Sequence, residues 1–278
     1  MLMRSLLFAP ANRRDLLAKF PTLSADAYSP DLEDGTPPGE REGARAALAE
    51  NLKLARGGRT EARFFVRVNP VGSPDFEKDL AAARAAGADG LVLPKAERPA
   101  DIAALGGGLP VIAGIESIRG VIDVMAIAAC PGVAAVYFGA EDFAADMGAR
   151  RTPDGLEVLY ARSQVVLAAK AAGVKALDQV VIDIRDDDLF RSDARAGRDL
   201  GYDGKMCLLP RQIGLAHEVF GPSAAEIDHA TRLVAAYEAA QARGAGTIDF
   251  EGRMVDGPVL KAAQAILAAE ADRSEPAR

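Results

Sequence analysis

Short apolar runs recur along the chain, and stretches of helical character separate them. The runs predict strands over 4–10, 27–34, 64–69, 90–95, 110–117, 133–142, 176–184 and 202–210. Most are almost continuously apolar, the pattern of a parallel strand buried on both faces. Between them, stretches such as 39–55, 75–86 and 156–172 are rich in Ala, Leu, Arg and Glu, all good helix formers. Gly87 and Gly173 close two of these stretches, as helix C-terminal glycines do, and each leads into the next strand. Eight β/α units in this order predict a closed (β/α)8 TIM barrel; with one strand miscounted, a doubly wound open sheet would fit as well.

The chain continues past the eighth strand. Helices are expected over 212–220 and 224–243, then a glycine-rich loop over 244–258, then a last helix to about residue 270. A simple barrel needs none of this. The expected division is a barrel over 1–221 and a C-terminal helical extension over 222–278 within the same domain. The glycine-rich loop would serve as a lid or as an arm onto a neighbouring subunit, and the final SEPAR is expected to fray.

Composition narrows the function classes. A length of 278 residues suits one barrel of this type, which needs about 250. A formal charge of −7 and the lack of a long basic run give no attraction for nucleic acid or an acidic membrane. No run reaches the length of a membrane span, and the apolar N-terminal stretch reads as a first strand rather than a secretory signal. Cys130 and Cys207 form no Cys-x-x-Cys pair and read as small buried hydrophobes. A cytoplasmic location is the expectation.

In such a barrel, chemistry gathers at the C-terminal ends of the strands. The runs close on Asp31, Glu33 and Asp34, on Arg67 and Asn69, on Lys95, on Glu116, and on Glu141 and Asp142, while the eighth carries Lys205. Glu116 and Asp142 end adjacent strands, so they could share one hard divalent cation with waters completing its shell. They could equally pair with Arg67 or Lys95 and bind nothing. Zinc is disfavoured, because the two histidines, His217 and His229, fall in the late helical region and no thiolate cluster exists. Arg67 offers a planar fork for a carboxylate or enolate, or a salt bridge within the mouth. Lys95 could form a Schiff base, but a counter-ion for Glu33 or Asp34 is preferred, since paired carboxylates would already supply a metal-based electrophile.

Several stretches in fixed order resemble one family. They are Arg4 to Pro10 (RSLLFAP), Asp31 to Asp34 (DLED), Arg67-Val68-Asn69, Leu93-Pro94-Lys95, Ile115-Glu116-Ser117, Phe138 to Asp142 (FGAED), Gly201 to Lys205 (GYDGK) and Gly252 to Pro258 (GRMVDGP). The chain resembles the CitE-like branch of the citrate lyase β-subunit/HpcH–HpaI aldolase superfamily. The resemblance implies Mg²⁺ held by Glu116 and Asp142, Arg67 on the substrate carboxylate or enolate, and Glu33 and Asp34 positioning metal-bound water or neighbouring groups. It implies that Asp256 acts as acid or base from the lid of an adjacent copy in a homotrimer or dimer of trimers. It also places Arg4, Lys95 and Lys205 near the phosphate-bearing arm of a thioester or an ion cluster.

The implied activity is cleavage or formation of a 3-hydroxy-acyl-CoA, such as malyl-CoA or citramalyl-CoA, from a 2-oxo acid and an acyl-CoA. The alternatives are a malyl-type thioesterase, a pyruvate aldolase acting on free aldehydes, and a lyase subunit that depends on an acyl-carrier partner. Two departures stand out. Leu209 occupies a position where the family often has histidine, and Tyr28-Ser29-Pro30 precedes Asp31 where an aliphatic strand is usual. Pro30 lacks an N–H, so strand two is expected to be irregular.

Overall fold

The computed structural model describes residues 2–58 and 63–274. By compactness the chain divides at 217/218 into two units, a few residues before the boundary read from the sequence. Each is described by itself.

The first unit is a closed barrel. Its strands are β1 (Ser5–Pro10), β2 (Ala27–Asp31), β3 (Arg63–Arg67), β4 (Gly90–Leu93), β5 (Val111–Ile115), β6 (Val133–Phe138), β7 (Lys175–Asp178) and β8 (Gly204–Cys207). Each pairs in parallel with the next, and β8 closes onto β1 through Leu6↔Met206 and Leu7↔Cys207. The helices are α1 (Arg14–Leu17), α2 (Arg41–Arg56), α3 (Phe76–Ala85), α4 (Pro99–Ala104), α5 (Ile118–Ala128), α6 (Ala140–Asp146), α7 (Leu156–Ala172), α8 (Asp187–Leu200) and α9 (Pro210–Phe220), the last containing the division point. The predicted cap glycines hold: Gly87 and Gly173 take left-handed φ values of 70° and 72°.

Inside the barrel, Leu6, Phe65, Val92, Ile112, Leu177 and Met206 pack into one buried cluster. Burying each such side chain contributes about 1.5–3 kcal/mol. Pro30 pairs in register with Ala9 of β1, but the ladder to β3 runs from Tyr28↔Phe64 to Asp31↔Arg67 and skips Ser29 and Pro30. The missing proline N–H accounts for that gap.

The strands end earlier than the sequence suggests. β6 stops at Phe138, and Glu141 and Asp142 lie in the first turn of α6. Acidic side chains there suit the unpaired N–H groups and positive end of a helix. β7 stops at Asp178, well short of residue 184.

The second unit, from Glu218 onward, holds α10 (Ala224–Gln241), β9 (Ile248–Phe250), β10 (Arg253–Val255) and α11 (Gly257–Ser274). A reciprocal Ser223–Glu226 capping box starts α10. The segment expected to be a loop contains an antiparallel hairpin, with Arg253 opposite Phe250. Its two turn residues, Glu251 at φ 52° and Gly252 at φ 77°, take the left-handed conformations of a type I′ turn. Glu251 is held in this conformation by Arg232 and His229 of α10. Leu233, Tyr237, Val255 and Ala263 form the unit's core. Among the described residues no helix is long and apolar enough to cross a membrane.

Candidate active site

All eight strands run the same way, so their C-terminal ends share one rim. A cavity of about 370 Å³ opens there, lined among others by Phe8, Asp31, Arg67, Glu116, Tyr137 and Asp142. Arg67, the last residue of β3, reaches across to β2. Its Nε donates to Asp31 Oδ1 at 2.7 Å and its Nη2 to Asp31 Oδ2 at 2.6 Å. The guanidinium also lies over the Phe8 ring, 5.1 Å from its centroid. Asp31 is braced in turn by the backbone N–H groups of Glu33 and Gly35, at 2.9 and 2.7 Å.

Glu33 is buried between two cations. Lys95 Nζ donates to its Oε1 at 2.7 Å. Arg67 Nη1 stands 3.0 Å from its Oε2, but the angle makes no hydrogen bond, so that buried oxygen has no hydrogen-bond partner. Burial pushes the Glu33 carboxyl up, against the opposing pull of Arg67 and Lys95. The Lys95 ammonium lies 3.8 Å from Asp34 and 3.7 Å from Asp142 as well. Burial works most strongly to lower its pKa, yet the bond and charge of Glu33, with Asp142 and Asp34, hold it above the usual lysine value. Lys95 carries a left-handed backbone, φ 51°, which is costly for any residue with a side chain.

Glu116 directly follows β5 and is 4% exposed. The Tyr137 hydroxyl donates to its Oε1. Burial, joined by the charges of Glu33 and Asp142, pushes Glu116 up to about 7, with the Tyr137 bond and Arg67 opposing. Gly139 lets the carboxylate lie against the backbone, since a Cβ there would stand 2.5 Å from Glu116 Cγ.

Arg67, Glu33, Asp34, Lys95, Glu116 and Asp142 therefore converge as expected. Arg4 does not. It precedes β1 and pairs with Asp26 at 2.8 Å, ahead of β2. A six-residue strand spans about 20 Å, so Arg4 belongs to the opposite rim. Lys205 is fully buried, and its Nζ donates to Asp178 at 3.0 Å, to the Gln179 carbonyl at 2.7 Å and to Asp193. Its ammonium is closed inside an ion cluster shared with Arg162 and presents no face to a phosphate. Leu209 is half-buried, and its N–H donates to Gln212 Oε1 at 3.0 Å. Asp256 lies in the second unit, just ahead of α11: its carbonyl accepts from Leu260 N–H at 3.0 Å. The sequence places Asp31 at the end of its run but gives it no partner, and it does not single out Tyr137. Tyr137 is the single polar side chain of β6, and a buried tyrosine hydroxyl needs a partner; that need was the available signal.

The side chains suit a hard cation. The cavity offers carboxylate oxygens but no thiolate or imidazole. His217 stands 3.5 Å from Asp26, away from this rim, and His229 faces Glu251 within the second unit. Glu116 and Asp142 face the cavity, and Glu33 Oε2, ion-paired with Arg67 but not hydrogen-bonded, lies buried nearby. Carboxylates lining the cavity suit a hard ion that keeps part of its water shell, as Mg²⁺ does; among the described residues no three His, Cys, Asp or Glu side chains form a metal cage.

The sequence model of the HpcH/HpaI aldolase/citrate lyase family matches residues 4–210. The citrate lyase subunit beta-like protein of Deinococcus radiodurans is 46% identical over 280 residues, covering 97% of this chain and 98% of that one. The (3S)-malyl-CoA thioesterase of Cereibacter sphaeroides is 37% identical over 273 residues, covering 96% and 95% respectively. The crystal structure of CitE from Mycobacterium tuberculosis in complex with magnesium, acetoacetate and coenzyme A matches with a TM-score of 0.85 at 33% identity, covering 97% of this chain and 98% of that one.

Proposed function

This chain belongs to the HpcH/HpaI aldolase/citrate lyase family, and on that premise we propose that it is a Mg²⁺-dependent carbon–carbon lyase. Its substrate would be a 3-hydroxy-acyl-CoA bearing a carboxylate, such as malyl-CoA or citramalyl-CoA, and its products a 2-oxo acid and an acyl-CoA. The observation that carries this reading is the placing of Glu116 and Asp142 on one cavity beside Arg67. Glu116 and Asp142 would hold Mg²⁺, which when bound supplies Lewis-acid polarisation of a carbonyl or alkoxide oxygen.

The chain's own residues do the rest. Arg67, fixed by Asp31, turns its remaining N–H groups to the substrate carboxylate and to the oxyanion that develops beside it. Lys95 holds Glu33 and balances the acids around it. In cleavage the hydroxyl passes its proton to water, from which the Asp256 carboxylate takes one up; the oxygen's electron pair forms the carbonyl as the bond from the carbinol carbon to the thioester α-carbon breaks, and the electrons of that bond pass to the α-carbon. Asp256, brought by the lid of an adjacent copy in a trimer, then protonates that carbon; in synthesis it removes the proton.

The test is incubation with malyl-CoA or citramalyl-CoA with and without Mg²⁺, reading glyoxylate or pyruvate beside free thiol. Magnesium-dependent 2-oxo acid is the expected result, and no turnover on any such thioester rejects the reading. A second reading, hydrolysis of a malyl-type thioester at the same site, is favoured by the similarity to the (3S)-malyl-CoA thioesterase. It would release free thiol and intact hydroxy acid, with no 2-oxo acid.

A further inference from the structure

Tyr137 has no part in the chemistry above, yet the barrel is built around it. It is 1% exposed and stands level with Gly114 of β5 and Leu177 of β7. Its ring takes the space a side chain at 114 would need, because a Cβ there would lie 2.4 Å from the ring. Its hydroxyl donates to Glu116 Oε1. Glu116 is also pressed against the backbone of Gly139. One tyrosine and two glycines thus fix the direction of one carboxylate.

We propose that Tyr137 is a positioning residue that selects the cation: it occupies Glu116 Oε1, so that Glu116 offers the cavity a single oxygen. The inference rests on the reading of Glu116 as a cation ligand. Mg²⁺ takes single oxygens in near-octahedral geometry and keeps several waters, whereas Ca²⁺ takes six to eight oxygens and accepts both from one carboxylate. Holding Glu116 to one oxygen therefore favours Mg²⁺ over Ca²⁺.

Isothermal titration of the wild type and of Tyr137→Phe with Mg²⁺ and with Ca²⁺, without substrate, tests this. Loss of the hydroxyl frees Oε1, and the ratio of Ca²⁺ to Mg²⁺ affinity should rise by about tenfold or more, the scale of one hydrogen bond to a charged group. An unchanged ratio, with both proteins binding cations, overturns the role of Tyr137 alone. A wild type that binds neither cation overturns the ligand reading and this inference with it. Wild-type crystals grown with Ca²⁺ give a measurement that needs no variant: Glu116 should reach the ion through one oxygen, and coordination through both overturns the proposal.

Discussion

Arg67 grips Asp31 with two prongs, Nε on one carboxylate oxygen and Nη2 on the other, at 2.7 and 2.6 Å. A lysine keeps the charge but not the fork, so Arg67→Lys should lower kcat/KM by about 10²-fold or more, the cost of one oxyanion donor. Arg67→Met would leave the buried Asp31 and Glu33 without their shared cation. Denaturant unfolding should then show a loss of about 3–5 kcal/mol. An Arg67→Lys enzyme with wild-type kinetics would mean that the fork does not touch the reacting groups.

Asp256→Asn should reduce turnover by about 10²–10⁴-fold, the usual contribution of a positioned acid or base. Mg²⁺ affinity, measured by titration, should stay where it was. Turnover close to wild type would remove Asp256 from the proton transfer.

Lys205→Met should cost about 3–5 kcal/mol, because Asp178 and Asp193 stay buried with Arg162 as their remaining cation. Thermal melting reads this loss. KM for the thioester should not move, since the ammonium lies inside the ion cluster; a selective rise in KM would restore Lys205 to the substrate.

Acidity should expose His217. Burial lowers its pKa below the usual 6.5, with Asp26 pulling the other way and Arg4 adding to the depression. The unfolded chain therefore binds the proton first, and the stability contributed by the neutral ring is present above pH 6.5 and lost as the pH falls through the lowered value. Glu116, pushed up to about 7, acts with the opposite sign: its contribution is full below 4.5 and lost as the pH rises through 7. The lowered carboxyls Asp193 and Asp203 matter only below their ordinary 3.8. The measure is thus the difference between proteins. Between pH 7 and 5, His217→Gln should lose less melting temperature than the wild type; parallel profiles would clear His217 of the effect.

The barrel was legible because strands buried on both faces must be apolar throughout, and because glycines such as Gly87 and Gly173 close helices in a conformation other residues avoid. The rim was legible because charges at the ends of such runs have few structural reasons to be there. Partnerships were not. Asp31 and Arg67 are 36 positions apart, and nothing in the order of residues says which acid an arginine will meet. Lys205 could have pointed to the mouth or to the helices; the packing of α7 and α8, which bring Arg162 and Asp193 to it, decides this. The hairpin over 248–255 escaped because each strand is three residues long, too short for an alternation to show.

Lys95 puts a side chain where the backbone favours glycine, at a cost of about 1–3 kcal/mol. Glycine at 95 would relax the backbone. It would also leave Glu33, Asp34 and Asp142 facing one another with no ammonium among them. Backbone ease and charge balance thus compete for one position, and anyone engineering a sturdier variant of this molecule should leave that lysine untouched.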